Sequence, residues 1–530
     1  MNKTLRRLAA VMMVMFVVLM GSATAIQFFQ AEALNANPRN ARAFTKQFNN
    51  ARGPIVVGGV PIAESVPVDS SFGFQRVFGG GDPAIAEMYA HVTGYFSISR
   101  GTSGIERQEN EFLNGQAPAL WVDRVHNMLT GQVNRGSSVE LTLDGFLQQV
   151  SWEAMNGQRG SVMAIDTRTG AIRSMVSYPS FDPNPLAVHS TSLANERYNE
   201  VLYSDHRPMD NRVLRQVHPP GSTFKMIVAA AALEAGYTIN TQLPAPHRFR
   251  LPNTTHYLRN FGDRTCSPTG QGSMYELMVI SCNTSFAMLA LELGEDRIRD
   301  MAQRFGFGEN FRVPMWSVAS RFPEAGDAFT ADRLALAAIG QGDVMVTPLV
   351  MGLMAAAIAN DGVMMQPYLV QTIRDPNLEV IFEAEPQALR QVVSPEVAAG
   401  LTEMMIGSVR DWGSTGWRAR IPGVDVAGKT GTAQTARGVA PHTWFTVFAP
   451  AEDPVIAVVV MIENGGHMGM DGTAASVAVP IAHRVLLAAL GLDADGQPIG
   501  PVEPDPEAGG EQDDILPNEP AEQPEAGGDE

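Results

Sequence analysis

The order of its apolar segments is what most limits how this chain can fold. Ser161-Val-Met-Ala-Ile-Asp166 and Ala171-Ile-Arg-Ser-Met-Val-Ser177 read as two strands joined through Thr169-Gly170. Helical periodicity follows over Thr223 to Gly236, Met274 to Gly294 and Asp332 to Asn360, with apolar residues three to four apart and few breakers. Strand signals return at Val424 to Thr432, Thr443 to Ala449 and Val455 to Glu463, before an apolar helical run from about Ala474 to Leu490. Two strands before a helical middle and three after it predict an α+β fold, one antiparallel sheet closing around an all-helical insertion. The order argues against a Rossmann-like domain, whose strands and helices would alternate.

The ends of the chain differ from this middle. Lys3, Arg6 and Arg7 precede an uncharged, mostly apolar run from Leu8 to Ile26. At about 1.5 Å per residue that run is long enough to span a bilayer, and the positive charges before it predict N-in, C-out. A cleaved secretory signal is the alternative, with Ala23-Thr24-Ala25 as its small-residue site. Either way the bulk of the protein is expected outside the cytoplasm. At the other end, 13 Asp and Glu and no Lys or Arg lie from Asp493 to Glu530, which leaves −5 of the formal −18 for the remainder. The tail's Pro, Gly, Glu and Asp offer too little apolar surface to offset ordering entropy, so disorder is expected there. No basic patch dense enough for several phosphates is visible, which sets nucleic acid aside as a partner.

Between the apolar run and about Gly136 the composition is punctuated by Gly and Pro, including Gly79-Gly80-Gly81, without a long periodic helix. The division expected is therefore a stub and anchor over 1–26, a small irregular domain over 27–138, the main domain over 139–492 and the tail over 493–530. Two cysteines occur, Cys266 and Cys282. An exported location favours a disulfide, which by chain entropy would contribute about 3 kcal/mol; two buried free thiols are the alternative.

The chemistry concentrates in three short segments. In His218-Pro-Pro-Gly-Ser-Thr-Phe-Lys-Met226 a breaker ends and a helix begins at Ser222, so Ser222 and Lys225 share a helix face. The helix start adds free N–H groups and partial positive charge, both suited to an oxyanion. A serine hydroxyl needs a base, which lysine can be once burial or a neighbouring cation lowers its pKa. Alone, Ser-x-x-Lys is more often a helix cap beside a solvated lysine. Ser281-Cys-Asn283 follows 59 residues on, within the helical region, and Lys429-Thr-Gly-Thr432 opens a strand 148 residues later. Taken singly, these read as helix capping and a turn before a strand.

In that order and spacing the three segments resemble the Ser-x-x-Lys, Ser-x-Asn, Lys-Thr-Gly signature of penicillin-binding proteins and serine β-lactamases. Tyr178-Pro-Ser-Phe-Asp-Pro-Asn184, Ile339-Gly-Gln-Gly342, Val346-Thr-Pro348, Trp444-Phe445 and Phe448-Ala-Pro450 extend the resemblance to class B penicillin-binding transpeptidases over roughly 139 to 490. Ala51-Arg-Gly-Pro-Ile55 and Gly104-Ile-Glu106 are similar to pieces of that family's N-terminal pedestal. The compact form with an acidic tail looks most like the family's actinobacterial branch.

The resemblance implies a serine D,D-transpeptidase that cross-links peptidoglycan through an acyl-enzyme and is inhibited covalently by β-lactams. Ser222 would attack the penultimate D-Ala carbonyl of a donor stem peptide, and Lys225 would take its proton. Ser281 would relay a proton to the departing amine. Asn283 would bind the substrate amide and hold Lys225. Lys429, Thr430 and Thr432 would meet the terminal carboxylate, and Gly431 would leave room for the substrate backbone. Backbone N–H groups of Ser222 and Thr432 would form the oxyanion hole. The implied partners are D-Ala-D-Ala stems, an acceptor amine, β-lactams, the cytoplasmic membrane, and division or elongation proteins. No cofactor or metal is implied, and the ten histidines show no His-Glu-x-x-His spacing. A carboxypeptidase or β-lactamase on the same fold, and a β-lactam sensor without enzymatic activity, stay open as alternatives.

Overall fold

The computed structural model describes residues 3–30, 46–121, 129–130, 135–326, 329–434, 436 and 438–499. The acidic tail beyond 499 lies outside these residues. Helix α1 (Lys3–Thr24) belongs to a span from Lys3 to Phe28 with a mean hydropathy of 2.3, long and apolar enough to cross a membrane.

The sequence reading anticipates no sheet before residue 139, and here the structure differs. Strands β1 (Ile55–Val57), β2 (Val60–Pro67), β3 (Phe74–Phe78) and β4 (Ser138–Leu141) join β7 (Val370–Arg374) and β8 (Val380–Glu383) in one six-stranded sheet ordered β8-β7-β4-β1-β2-β3. Its strands are short, and two come from far along the chain, so local periodicity could not reveal it. The two pedestal-like fragments meet beneath this sheet. Arg52 and Arg76 both pair with the Glu106 carboxylate, and all three side chains are almost fully buried. Burial alone would raise the Glu106 pKa, but the two guanidinium charges prevail and hold it below the usual range. Gly53 is required because a Cβ there would stand 1.9 Å from the Ser137 carbonyl oxygen.

The main sheet is antiparallel throughout. Strands β5 (Gly160–Asp166), β6 (Ile172–Tyr178), β9 (Ala427–Ala433), β10 (His442–Ala449) and β11 (Ile456–Ile462) run in the order β9-β10-β11-β5-β6, two strands from before the helical middle and three from after it. Helices α2 (Gly145–Met155) and α9 (Ala478–Leu490) cover one face, and the helical middle covers the other. Because both faces are covered, every residue of β11 is buried, and its sequence Ile-Ala-Val-Val-Val-Met-Ile runs apolar without alternation. Strand β9 is an edge strand, which leaves one row of backbone groups free to pair outside the sheet.

The long helices expected in the middle are broken, and the breaks sit at the motifs. Met274 to Gly294 divides into α4 (Met274–Val279) and α5 (Asn283–Leu293), with Ser281 between them at a φ of 60°. Asp332 to Asn360 divides into α6 (Ala331–Ala337) and α7 (Pro348–Ala359); Thr347 caps the second by accepting from Val350 N at 3.2 Å, and Pro348 occupies a first-turn site where its missing N–H costs nothing. Helix α3 (Lys225–Glu234) lies at the centre, buried from Lys225 to Ala232, and its apolar all-round sequence fits that position. Helix α8 (Pro395–Arg410) packs beside it.

Candidate active site

The chain turns into α3 through a single 3₁₀ turn, Gly221–Phe224, so Ser222 sits at a helix start. Three contacts fix that turn. Gly221 has a φ of 58°, and its N–H donates to the Gly340 carbonyl at 2.9 Å. Trp444 Nε1, on β10, donates to the Pro219 carbonyl at 3.0 Å. A Cβ on Gly340 would approach the Gly221 carbonyl oxygen to 2.1 Å, so the Ile339-Gly-Gln-Gly342 segment is a backing plate for the nucleophile turn. Ser222 itself is half-buried, while Thr223 and Phe224 are buried.

One helical turn on, Lys225 is fully buried. Its Nζ donates to the Ser281 carbonyl at 2.7 Å and to Asn283 Oδ1 at 2.8 Å, and it stands 3.3 Å from Ser281 Oγ. Burial, and then the positive charge of Lys429, push its pKa well below the usual lysine value. The two carbonyl-type oxygens can only accept, so a neutral Lys225 spends both N–H bonds on them and keeps its lone pair for a proton.

Ser281 and Asn283 owe their positions to the break between α4 and α5. The left-handed backbone at Ser281 turns its carbonyl and hydroxyl toward the two lysines, since Lys429 Nζ also reaches Ser281 Oγ at 2.9 Å. Asn260, which sequence reasoning missed, caps α5 from outside its own segment: its Oδ1 accepts from Asn283 N at 2.9 Å and Thr284 N at 3.1 Å. Asn283 Nδ2 donates to the Arg259 carbonyl at 3.0 Å. One of its two amide N–H groups is thus engaged by the protein and its oxygen faces Lys225, an arrangement that holds the lysine and leaves the second N–H unspent among the described residues. Cys266 and Cys282 are bonded, with Cα atoms 5.8 Å apart, which ties the loop before α4 to the residue between Ser281 and Asn283.

Strand β9 supplies the other wall. Lys429 is fully buried, and burial lowers its pKa to about 7. Thr430 is 6% exposed, and Thr432, half-buried, accepts from Ala474 N at 3.3 Å through its hydroxyl, leaving that hydroxyl's proton free. Gly431 is the point where the strand meets the nucleophile turn. A Cβ there would stand 2.5 Å from the Pro220 carbonyl oxygen and 3.0 Å from Thr223 Cγ2, so the missing side chain admits the nucleophile turn against the strand.

Comparison with known proteins is concordant over most of the chain. Residues 160–487 match the model of the penicillin binding protein transpeptidase domain, and 52–139 match that of the penicillin binding protein A dimerisation domain. The chain belongs to the penicillin-binding transpeptidases. The peptidoglycan D,D-transpeptidase PbpA of Mycolicibacterium smegmatis is 40% identical over 500 residues, covering 92% of this chain and 99% of that protein. Its counterpart in Mycobacterium tuberculosis is 38% identical, with the same coverage. A ceftriaxone acyl-enzyme complex of penicillin-binding protein A from M. tuberculosis superposes with a TM-score of 0.79 at 37% identity, covering 84% of this chain and 99% of that one.

Beside this transpeptidase site lies a second buried group that the motifs do not mark. The His218 and His442 rings meet edge to face at 4.8 Å, and burial lowers the His218 pKa to about 4, so the pair is neutral at physiological pH. Glu463 binds Arg159 at 2.8 Å and Arg212 at 3.0 Å next to them. These residues brace the segment entering the Pro-Pro-Gly turn. The sequence signal for them is no more than scattered His, Arg and Glu.

Proposed function

We infer that this chain is a serine D,D-transpeptidase that joins peptidoglycan stem peptides through an ester on Ser222. The observation that carries the assignment is the buried, charge-depleted Lys225 held against Ser281 and Asn283, one turn after a serine at a helix start. Lys225, neutral, takes the Ser222 proton as Oγ bonds to the penultimate D-Ala carbonyl carbon. The resulting oxyanion is received by backbone N–H groups of Ser222 and Thr432; losing one such donor typically costs about 2.7 to 4 kcal/mol. As the C–N bond breaks, the proton passes from Lys225 through the Ser281 hydroxyl to the departing D-Ala amine. An acceptor amine then attacks the ester carbon, its proton returns by way of Lys225 to Ser222 Oγ, and an amide replaces the ester. Until the C–N bond breaks, Lys429, Thr430 and Thr432 hold the donor's terminal carboxylate, which then leaves with the departing D-Ala, and the free edge of β9 receives the stem as an added strand.

The finer placement follows from the same reading. The α1 span anchors the protein with N-terminus inside and the catalytic domain outside. The sequence divides into anchor 1–26, pedestal 27–138, transpeptidase domain 139–492 and acidic tail, with 139–141, 370–374 and 380–383 of the third part completing the pedestal sheet, and the pedestal is the face offered to division or elongation proteins. A β-lactamase would need a further base to activate water behind the ester, and among the described residues no Asp or Glu is hydrogen-bonded or ion-paired to Lys225, Ser281 or Asn283, whose partners include Lys429 and the Arg259 carbonyl.

One experiment separates these readings. Fluorescent penicillin should label the chain covalently, Ser222→Ala should remain folded but unlabelled, and the adduct should last many minutes because the tethered leaving group blocks the acceptor. Labelling of folded Ser222→Ala would remove the nucleophile; loss of the adduct within seconds with catalytic penicillin consumption would make the protein a β-lactamase.

A further inference from the structure

The strand that carries Lys429 has a hydrogen-bond partner from outside the sheet. After α8 ends, the loop 411–416 turns back onto β9 and places Thr415 Oγ1 at 2.5 Å from Thr430 Oγ1. This loop is held on three sides. Gly416 N donates to the Ser408 carbonyl at 3.0 Å, Ser414 Oγ to the Val409 carbonyl at 3.1 Å, and Tyr275 Oη, from α4, to Asp411 Oδ2 at 2.5 Å. Thr415 is therefore aimed by the same helices that frame Ser281, and none of the three motifs includes it.

A hydroxyl has one proton to give and can accept two. The Thr415–Thr430 bond consumes one of the pair's two protons and leaves the other free, and among the described residues no further protein partner engages either hydroxyl. Were Thr430 the donor, it would present lone pairs to an incoming carboxylate, which would repel it. With Thr415 as donor, Thr430 keeps its proton for the anion. Thr415, Thr430 and the carboxylate then form an aligned series in which each bond strengthens the next.

We propose that Thr415 is a positioning residue that sets the direction of the Thr430 hydroxyl and thereby the selectivity of the donor site for substrates ending in a free carboxylate. The inference rests on the reading that Lys429, Thr430 and Thr432 receive that carboxylate. It acts through Thr430 and requires no contact between Thr415 and substrate.

The test uses the full chain, Thr415→Val, which removes the hydroxyl at nearly equal shape, and Thr415→Ser, which keeps it. Second-order acylation rates are measured with a penicillin and with the methyl ester of the same penicillin. The unaltered protein should favour the free acid. Thr415→Val should slow acylation by the acid about tenfold, equivalent to about 1.4 kcal/mol, while the ester rate stays within about twofold. Thr415→Ser should restore the acid rate. Equal slowing of acid and ester would reduce Thr415 to loop packing and overturn the proposal, as would an unchanged acid rate in Thr415→Val. An unaltered protein indifferent to acid and ester would fail at the carboxylate site itself, taking the proposal down with it, and the labelling of Ser222 would still stand as a separate result.

Discussion

Lys429 Nζ lies 2.9 Å from Ser281 Oγ, and the same hydroxyl stands 3.3 Å from Lys225 Nζ. One oxygen thus bridges two fully buried lysines. Two ammonium charges at that separation, out of water, would repel each other strongly, so the protons are lost in sequence. Burial lowers both, and Lys225 is lowered further by its neighbour's charge. Below about pH 7 the arrangement therefore settles with Lys429 charged and Lys225 the first of the two to become neutral, the division of labour that a base and a carboxylate anchor need.

A pH profile follows from that order. At low pH Lys225 acquires a proton and cannot act as base; as pH rises through about 7, Lys429 loses the charge that attracts the carboxylate. The second-order acylation rate with a carboxylate-bearing penicillin should be bell-shaped, with its falling limb near pH 7 in the free enzyme. At saturating ligand the limb should move upward, because a bound carboxylate stabilises the ammonium. A rate that stayed flat from about pH 6 to about pH 9 would contradict the assignment of the two lysines.

The three motifs were legible because each is short and its chemistry is local. Ser222 and Lys225 are one helical turn apart, and the five strand signals fell on the five strands of the main sheet in its antiparallel form. The six-stranded pedestal sheet was not legible, since β7 and β8 reach it from more than two hundred residues beyond β4 and their apolar runs are too short to stand out. Ser281 looked helical because its neighbours are; the capping by Asn260 and the pairing of Lys225 with the Ser281 carbonyl, which accompany the break, are long-range contacts. Thr415, Asn260 and the Trp444 bond to Pro219 escaped for the same reason: each works across a gap in sequence that no periodicity spans.

Gly431 gives a sharp steric prediction. In Gly431→Ala the new methyl would meet the Pro220 carbonyl oxygen and Thr223 Cγ2, both on the nucleophile turn. Relief requires the turn to move off β9, and overpacking of this kind typically costs about 1 to 3 kcal/mol. Penicillin acylation should fall by at least about tenfold with a lowered melting temperature. A variant that melts and acylates like the unaltered protein would show that the turn does not rest on the strand.

The Cys266–Cys282 bond should resist reduction while the protein is folded. Cys282 is 1% exposed, so an attacking thiolate has only the partly buried Cys266 sulfur to approach, and exchange should be slow until the site opens. Peptide mapping without reductant should recover the two cysteines joined. Mild reductant should leave them so until denaturant is added. Rapid alkylation of both thiols in the native exported protein would refute the bond.

The buried lysines also make stability depend on pH, and the direction is fixed by which state binds more protons. In the unfolded chain Lys429 titrates near 10.5, whereas in the folded protein burial lowers it to about 7. Between those values the unfolded state holds the proton and the folded state does not, so unfolding free energy rises with pH across that window. Below about 7 both states are protonated and the cost of burying the charge is paid in full. Replacing the side chain by the uncharged, similarly long one in Lys429→Met removes this contribution. Other groups titrate in the same range, so the informative quantity is the difference between the two proteins. The melting temperature of Lys429→Met should exceed that of the unaltered protein most at about pH 7 and below, and the gap should narrow steadily toward about pH 10. Thermal melts of both proteins at matched ionic strength measure it directly. A gap that widened with pH would mean that Lys429 is stabilised as an ammonium in the fold, and both the lowering of its pKa to about 7 and the falling limb of the acylation profile that rests on it would fail.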